Sequence, residues 1–98
     1  MPALDSNQLR QDLEIIERNI RQLEAKYTDY FDNVIAYEPK ELRTQTEALV
    51  NRWWGKPVTS TMLKFKLQNT VQKYRTYKEK WNRLLRLKKK NEREDELE

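Results

Sequence analysis

Apolar residues recur at alternating spacings of four and three along the first third of the chain. The members of this stripe are Leu9, Leu13, Ile16, Ile20, Leu23, Tyr27, Tyr30, Val34 and Tyr37. Such heptad spacing puts the apolar side chains on one helix face, which is typical of a helix that packs against another helix. We therefore expect a first helix that begins at Asp5 or Ser6, either of which suits an N-cap, and ends before Pro39.

Two later segments continue the helical spacing. The stretch from Pro39 to Trp54 predicts a shorter second helix, and Gly55 suits its C-terminal end. A third helix is expected from a cap at Thr59 or Ser60 to about Lys90. Its apolar positions are Leu63, Leu67, Tyr74, Tyr77, Trp81 and Leu84. Residues 91–98 are strongly charged and are expected to form a frayed tail.

The lengths of these segments favour an all-α fold, an antiparallel hairpin of the two long helices with the shorter helix at the connecting tip. In an up-down-up arrangement, the short second helix would leave the first turns of helix 1 uncovered and would require a dimer. Charges bordering the two long seams are complementary. They are Asp12, Glu17 and Glu24 on helix 1, and Lys64, Lys66, Lys73, Lys78 and Lys80 on helix 3. We predict one hairpin domain over residues 1–90, and a homodimer stays open because the pattern allows pairing within or between chains.

Composition argues against several functional classes. The 98 residues include no histidine and no cysteine, which removes the commonest general base, disulfides and Cys/His zinc sites. The only glycine is Gly55, so a phosphate-binding loop is not expected. We expect a protein that is not an enzyme and has no cofactor and no metal. No apolar run suits a signal peptide or a membrane span, which predicts a cytoplasmic protein without membrane contact.

The formal net charge of +4 is unevenly distributed. Residues 1–50 carry ten Asp/Glu and six Lys/Arg, whereas residues 51–98 carry fourteen Lys/Arg and six Asp/Glu. Cations alternate with aromatics along helix 3, a pattern that also occurs on surfaces that bind nucleic acid. A nucleic-acid-binding edge would use Arg75, Arg83, Arg86, Lys88, Lys89 and Lys90. We favour the simpler interpretation that the aromatics form the core and the cations border it.

The string Trp53-Trp54-Gly55-Lys56-Pro57 is the most unusual local sequence. Adjacent helical residues point about 100° apart, so both tryptophans cannot occupy one seam. Trp54 therefore either packs against the tip or is exposed as an anchor for a partner. We take Trp53, Trp54 and Lys56 as candidate partner-binding residues. The sequence thus favours a non-enzymatic protein–protein interaction module, an adaptor or small structural subunit with a partner of unknown identity, and nucleic-acid binding is the alternative.

Three stretches carry a resemblance to known proteins. Leu13 to Glu24, Lys64 to Asn69 and Tyr74 to Leu85 resemble a group of small, uncharacterised helical proteins from bacteria with coiled-coil-like sequences. The resemblance spans residues 9–87 and implies a natural helical module. It implies no activity, cofactor or binding residue.

Overall fold

The computed structural model describes residues 6–97, with side chains described as far as Glu92. It contains three helices, α1 (Ser6–Phe31), α2 (Lys40–Trp53) and α3 (Thr61–Leu97). No strand occurs within residues 6–97. The expected all-α class is therefore confirmed, and α3 continues past the predicted end near Lys90. Asp5, one of the two expected caps of α1, lies outside the described residues.

The apolar stripe of α1 forms the centre of the core over most of its length. Six of its members, none more than 1% exposed, are Leu9, Leu13, Ile16, Ile20, Leu23 and Tyr27. Tyr30 is partly buried and still packs against the core, whereas Val34 is 70% and Tyr37 is 85% exposed. The sequence therefore predicted the seam correctly up to Tyr30 and placed the end of the helix too late.

A C-terminal capping motif ends α1 after Phe31. Asn33 has a positive φ of 61°, a conformation that asparagine tolerates better than most residues. Its N–H donates to the carbonyl of Tyr30 at 3.2 Å, and the N–H of Val34 donates to the carbonyl of Asp29 at 2.8 Å. These two bonds form a Schellman motif with Asn33 in the left-handed position. The chain leaves the helix axis there, so the later apolar residues no longer face the core.

The other two helices begin or end with recognisable local signals. At the end of α2, Lys56 N–H donates to the Trp53 carbonyl at 3.2 Å, and Gly55 has a φ of 81°. Together with the extended conformation of Trp54, this is a type II turn, whose third position favours glycine. At the start of α3, the Ser60 hydroxyl accepts a bond from the Leu63 N–H at 3.3 Å, which confirms Ser60 as the N-cap.

Side-chain contacts define the directions of the helices. Near the start of α2, Arg43 Nη1 donates to the Tyr27 hydroxyl at 3.1 Å, whereas at its end Trp53 reaches Asp12, so α2 runs antiparallel to α1. Contacts between α1 and α3 advance in the same direction along both helices. They are Glu17 with Thr70 and Lys73, Glu24 with Lys80 and Trp81, and, just beyond α1, Asn33 with Lys88. The two long helices are therefore parallel in an up-down-up bundle.

This arrangement does not confirm the antiparallel hairpin or the tip position of the second helix. The objection to up-down-up was that the first turns of α1 would lack a partner. In the structure, Leu9 is 1% exposed, because the Trp53 side chain extends the reach of α2 and the first turns of α3 lie at the same end. The seven residues between α2 and α3 leave both free to pack on α1. No second copy is needed to cover this face.

The parallel alignment predicts distances that spin labels can measure. Because the chain has no cysteine, two introduced cysteines are the only labelling sites. Gln11, Asn69 and Lys90 are all exposed, and Asn69 and Lys90 are about 32 Å apart along α3 at 1.5 Å per residue. Electron–electron double resonance should give a distance for Gln11→Cys/Lys90→Cys roughly 15 to 20 Å longer than for Gln11→Cys/Asn69→Cys. The opposite order would support the antiparallel hairpin.

Candidate functional site

Trp53, one of the candidate partner-binding residues, belongs to the core. It is 3% exposed, and its indole N–H donates to Asp12 Oδ2 at 2.6 Å. The Asp12 carboxylate is also buried, accepts a bond from Gln8 at 2.9 Å and lies 3.7 Å from Arg52. A buried carboxylate with these partners holds α2 against the first turns of α1. Trp53 therefore presents no side-chain surface to a partner.

Trp54 lies between the two positions that the sequence allowed. Its side chain is 42% exposed, and the Arg75 guanidinium stacks on the ring at 4.6 Å from its centroid. This cation–π contact is of a kind that contributes about 0.5 to 1 kcal/mol at exposed sites. One part of Trp54 thus rests on α3, while the rest is open to solvent.

A groove runs between the α2–α3 connection and the first turns of α3. It encloses about 480 Å³, and its lining includes Trp54, Lys56, Pro57, Val58, Lys64 and Leu67. Leu67 is only 4% exposed and provides an apolar floor. The rim carries Lys56 and Lys64, both exposed. This volume lies within the range of roughly 300 to 1,000 Å³ that is typical of ligand pockets, and it also admits one or more side chains of a partner.

Two apolar residues are exposed on the outer side of α3 and do not line the groove. Met62 is 79% and Phe65 is 59% exposed, and Lys64 and Lys66 stand on either side of Phe65. Together with the groove residues Trp54 and Lys56, these four form what we call the Trp54–Phe65 surface. By contrast, none of the large exposed hydrophobic residues of the described chain lies within α1 or α2. Apolar exposure is therefore concentrated in the connections and on the outer side of α3.

The chain segment that carries this surface has charged residues of one sign only. Residues 48–78 contain seven Lys/Arg and no Asp or Glu. Three of the seven are paired to acidic residues elsewhere in the chain, Arg52 with Asp12, Lys73 with Glu17 and Lys78 with Glu47. Among the described side chains, Lys56, Lys64 and Lys66 form no ion pair. Lys56 and Lys64 line the groove, whereas Lys66 lies on the other side of Phe65, beside Glu14 and Glu17 of α1. The positive rim of the Trp54–Phe65 surface is therefore uncompensated on its groove side.

The structure divides the six residues of the proposed nucleic-acid-binding edge. Arg75 stacks on Trp54, and Lys88 contacts Asn33 at 3.0 Å, Glu92 at 3.7 Å and the Tyr30 ring. The other four are exposed and form no ion pair with the side chains of residues 6–92. These four are Arg83, Arg86, Lys89 and Lys90. They lie toward the C-terminal end of α3, away from the Trp54–Phe65 surface.

A partly buried polar cluster near the C-terminal end of α1 was not predicted from the sequence. The Tyr27 hydroxyl donates to Glu38 at 2.7 Å and accepts from Arg43, whose other Nη donates to Asn82 at 2.5 Å. Burial raises the pKa of Tyr27 to about 12, with Arg43 opposing the shift and Glu38 adding to it. No spacing rule marks such a cluster, since its members come from four different segments, the three helices and the connection between α1 and α2.

Tyr74 lies in the same region but lacks a hydrogen bond. Its hydroxyl is buried without a partner among the described residues, although the charges of Glu47 and Arg43 act on it. Burial raises the pKa of Tyr74 to about 12, and the negative charge of Glu47 adds to this shift. An unsatisfied buried hydroxyl costs stability, which a bonded one such as that of Tyr27 does not.

The two tyrosines predict opposite effects of hydroxyl removal. Tyr74→Phe should leave the free energy of unfolding unchanged or raise it by about 1 kcal/mol, whereas Tyr27→Phe should lower it by about 1 to 3 kcal/mol. Both folded-state pKa values lie above the unfolded value near 10, so wild-type stability is fully present below pH 10 and falls as the pH rises toward 12. Each variant should remove part of that fall, about 1.4 kcal/mol per pH unit.

Urea denaturation of the wild type and the two variants at pH 7 and across pH 10–12 checks this prediction. A Tyr74→Phe variant that is clearly less stable at pH 7 would show that the hydroxyl has a bonding partner after all.

The described residues show neither a membrane span nor a clustered metal site. No helix within residues 6–97 is long and apolar enough to cross a bilayer. In the same part of the chain, no three Asp or Glu side chains come close enough together to hold a metal ion. The chain matches no family model, no curated protein and no solved structure. The resemblance to small bacterial helical proteins therefore stays a prediction.

Proposed function

We propose that this protein is a non-enzymatic interaction module, an adaptor or small subunit, that binds a protein partner through the Trp54–Phe65 surface. One observation supports this above all. Met62 and Phe65 are exposed in the first two turns of α3, and Trp54 in the preceding connection is half-exposed, although α1 and α2 keep their large apolar residues covered. Exposed apolar patches with polar rims mark interaction sites in soluble proteins.

The chemistry of the residues supports a protein partner. Tryptophan is enriched among residues that dominate binding energy, and methionine and phenylalanine are enriched in interface cores. Trp54 is already held in place by Arg75, so its ordering on binding costs less than that of a free side chain. A reducing cytoplasm suits a chain without cysteines, and we place the module there as part of this proposal.

Affinity capture from nuclease-treated native lysate tests the proposal. The bait is the full chain, compared with the double variant Met62→Ser/Phe65→Ser and with Tyr37→Ser as a control at an exposed aromatic outside this surface. We expect the double variant to lose the captured protein and the control to retain it, with unchanged helical circular dichroism in both. Equal capture by all three baits would contradict the proposal.

Nucleic-acid binding is the second candidate, and the four exposed cations at the C-terminal end of α3 favour it. If these residues contact phosphates, affinity for a labelled duplex should fall steeply with added salt. Arg83→Glu/Arg86→Glu should then abolish binding, whereas Met62→Ser/Phe65→Ser should not. Fluorescence anisotropy at 50 and 200 mM salt measures both effects. Absence of binding at 50 mM salt would remove this candidate.

A homodimer would be a special case of the interaction module, with a second copy as the partner. Light scattering after gel filtration distinguishes it directly. A dimer that the double variant Met62→Ser/Phe65→Ser converts to monomer would identify the second copy as occupant of the Trp54–Phe65 surface. A monomeric wild type leaves a different protein as the partner.

A further inference from the structure

We infer that the occupant of the Trp54–Phe65 surface is an acidic amphipathic helix from another protein. This inference rests on the proposed function and names the chemical class of its partner. The apolar face of such a helix would cover Phe65 and insert a side chain into the groove beside Trp54. Its Asp and Glu residues would lie over Lys56, Lys64 and Lys66.

Charge complementarity is the first argument. Lys56 and Lys64 line the groove, and Lys66 lies on the other side of Phe65, beside Glu14 and Glu17. None of the three lysines forms an ion pair with a described side chain. Arg52, Lys73 and Lys78 in the same cation-only stretch already have acidic partners, so the unpaired positive charge of this stretch is concentrated at the groove and around Phe65. A segment with acidic residues beside its apolar ones supplies the missing charge, whereas a basic segment would be repelled.

The backbone of the site is the second argument. Met62 and Phe65 lie within α3, where helical hydrogen bonds already use the backbone groups. No strand edge exists within residues 6–97 to which an extended peptide could add. A partner segment must therefore satisfy its own backbone groups as it leaves water, and a helix does this without help from α3. The contacts between such a partner helix and α3 are then made by side chains alone.

The shape of the surface is the third argument. The groove beside Trp54 is concave, and Leu67 at its floor is reached only by a side chain that enters it. A bilayer meets protruding side chains and would leave this floor uncovered. Farther along the outer side of α3, the exposed residues become polar, beginning with Asn69 and Gln72. The apolar contact therefore ends within about two turns, which suits a short amphipathic helix.

Selection from a peptide library tests the inference. A displayed library of random 16-residue peptides is selected on the immobilised full-length protein, and enriched peptides are measured by fluorescence anisotropy. We expect enriched sequences with a net negative charge and apolar residues at helical spacing. Lys56→Glu/Lys64→Glu/Lys66→Glu should weaken their binding at least tenfold, and so should Phe65→Ser. The matched control Arg83→Glu/Arg86→Glu/Lys90→Glu reverses three exposed cations elsewhere on α3 and should change affinity less than twofold.

Several results would overturn the inference. Enrichment of neutral or basic peptides would do so, as would acidic peptides whose affinity is indifferent to the three lysines. Binding of phosphatidylserine vesicles or of a labelled oligonucleotide that requires both Phe65 and the three lysines would assign the surface to lipid or nucleic acid instead. A dimer that Phe65→Ser disrupts would assign it to a second copy. All substituted residues are exposed, so circular dichroism should confirm that each variant folds.

The inference and the proposed function fail in different ways. If Met62→Ser/Phe65→Ser abolishes capture of the native partner but the selected peptides are not acidic, the proposed function stands and the inference is wrong. If acidic peptides bind as expected while native capture ignores the same double variant, the surface has the inferred chemistry but is not the one that the module uses.

Discussion

Ile16→Asp is expected to abolish the cooperative fold. Ile16 is fully buried at the centre of the α1 seam. Truncation of a buried isoleucine costs about 2 to 5 kcal/mol, and an unpaired buried carboxylate adds several more. The total approaches or exceeds the 5 to 15 kcal/mol that typically stabilises a small domain. Thermal denaturation followed by circular dichroism should therefore show loss of the cooperative transition.

Ala25→Asp provides the control for this substitution. Ala25 is exposed on the same helix, so the change introduces the same charge without placing it in the core. We expect a loss of at most about 1 kcal/mol, which reflects the lower helix propensity of aspartate. Equal stability of Ile16→Asp and wild type would contradict the assignment of the seam.

Trp53→Ala should have the second largest effect, with a loss of about 3 to 5 kcal/mol. The substitution opens a cavity between α2 and α1 and also removes the donor that bonds Asp12 at 2.6 Å. Asp12 is 2% exposed and would lose one of its buried hydrogen-bond partners. Urea denaturation measures the loss of unfolding free energy.

The neighbouring tryptophan gives a matched comparison. Trp54→Ala removes a 42% exposed side chain and one contact with Arg75, so it should cost about 1 kcal/mol or less while weakening partner capture. Similar losses of stability in the two variants would mean that Trp54 is as much a core residue as Trp53, and would contradict its role in the Trp54–Phe65 surface.

The sequence predicted the helices better than their ends. Heptad spacing located all three, and Ser60 capped α3 as expected. The predicted end of α1 was too late because the same heptad spacing continues through Val34 and Tyr37. Asn33 was the local signal for the earlier end, since its positive φ forms the capping motif. A single asparagine is weak evidence against a long apolar stripe, so the predicted helix followed the stripe.

Charge pattern predicted which helices meet but not their relative direction. Glu17 and Glu24 do pair with lysines of α3, namely Lys73 and Lys80. Both lysines follow their glutamates by 56 residues, and this constant offset is the mark of parallel helices. The sequence offered several lysines at similar spacing, so the same charges also suited an antiparallel register. The topology depends on the buried contact between Trp53 and Asp12, which fixes α2 alongside α1. The sequence pattern does not predict this contact.

The candidate site was only partly visible in the sequence. The double tryptophan indicated the α2–α3 connection as a candidate site, but periodicity could not show that Met62 and Phe65 would be exposed. They fall outside the buried positions Leu63 and Leu67, and their exposure depends on α1 and α2 packing on the other side of α3. The Tyr27 cluster and the unbonded Tyr74 hydroxyl depend on three-dimensional proximity and leave no periodic signal.

Site-specific photocrosslinking tests the role of the Trp54–Phe65 surface most directly. The photoreactive residue p-benzoylphenylalanine replaces Phe65 in one variant and Tyr37 in another, both expressed in the native host at equal levels. Irradiation followed by mass spectrometry identifies any crosslinked protein. We predict a specific protein crosslink from position 65 and none from the control position 37. The substitutions Lys56→Glu/Lys64→Glu/Lys66→Glu should remove the crosslink from position 65. A crosslink from position 37 alone would contradict this prediction.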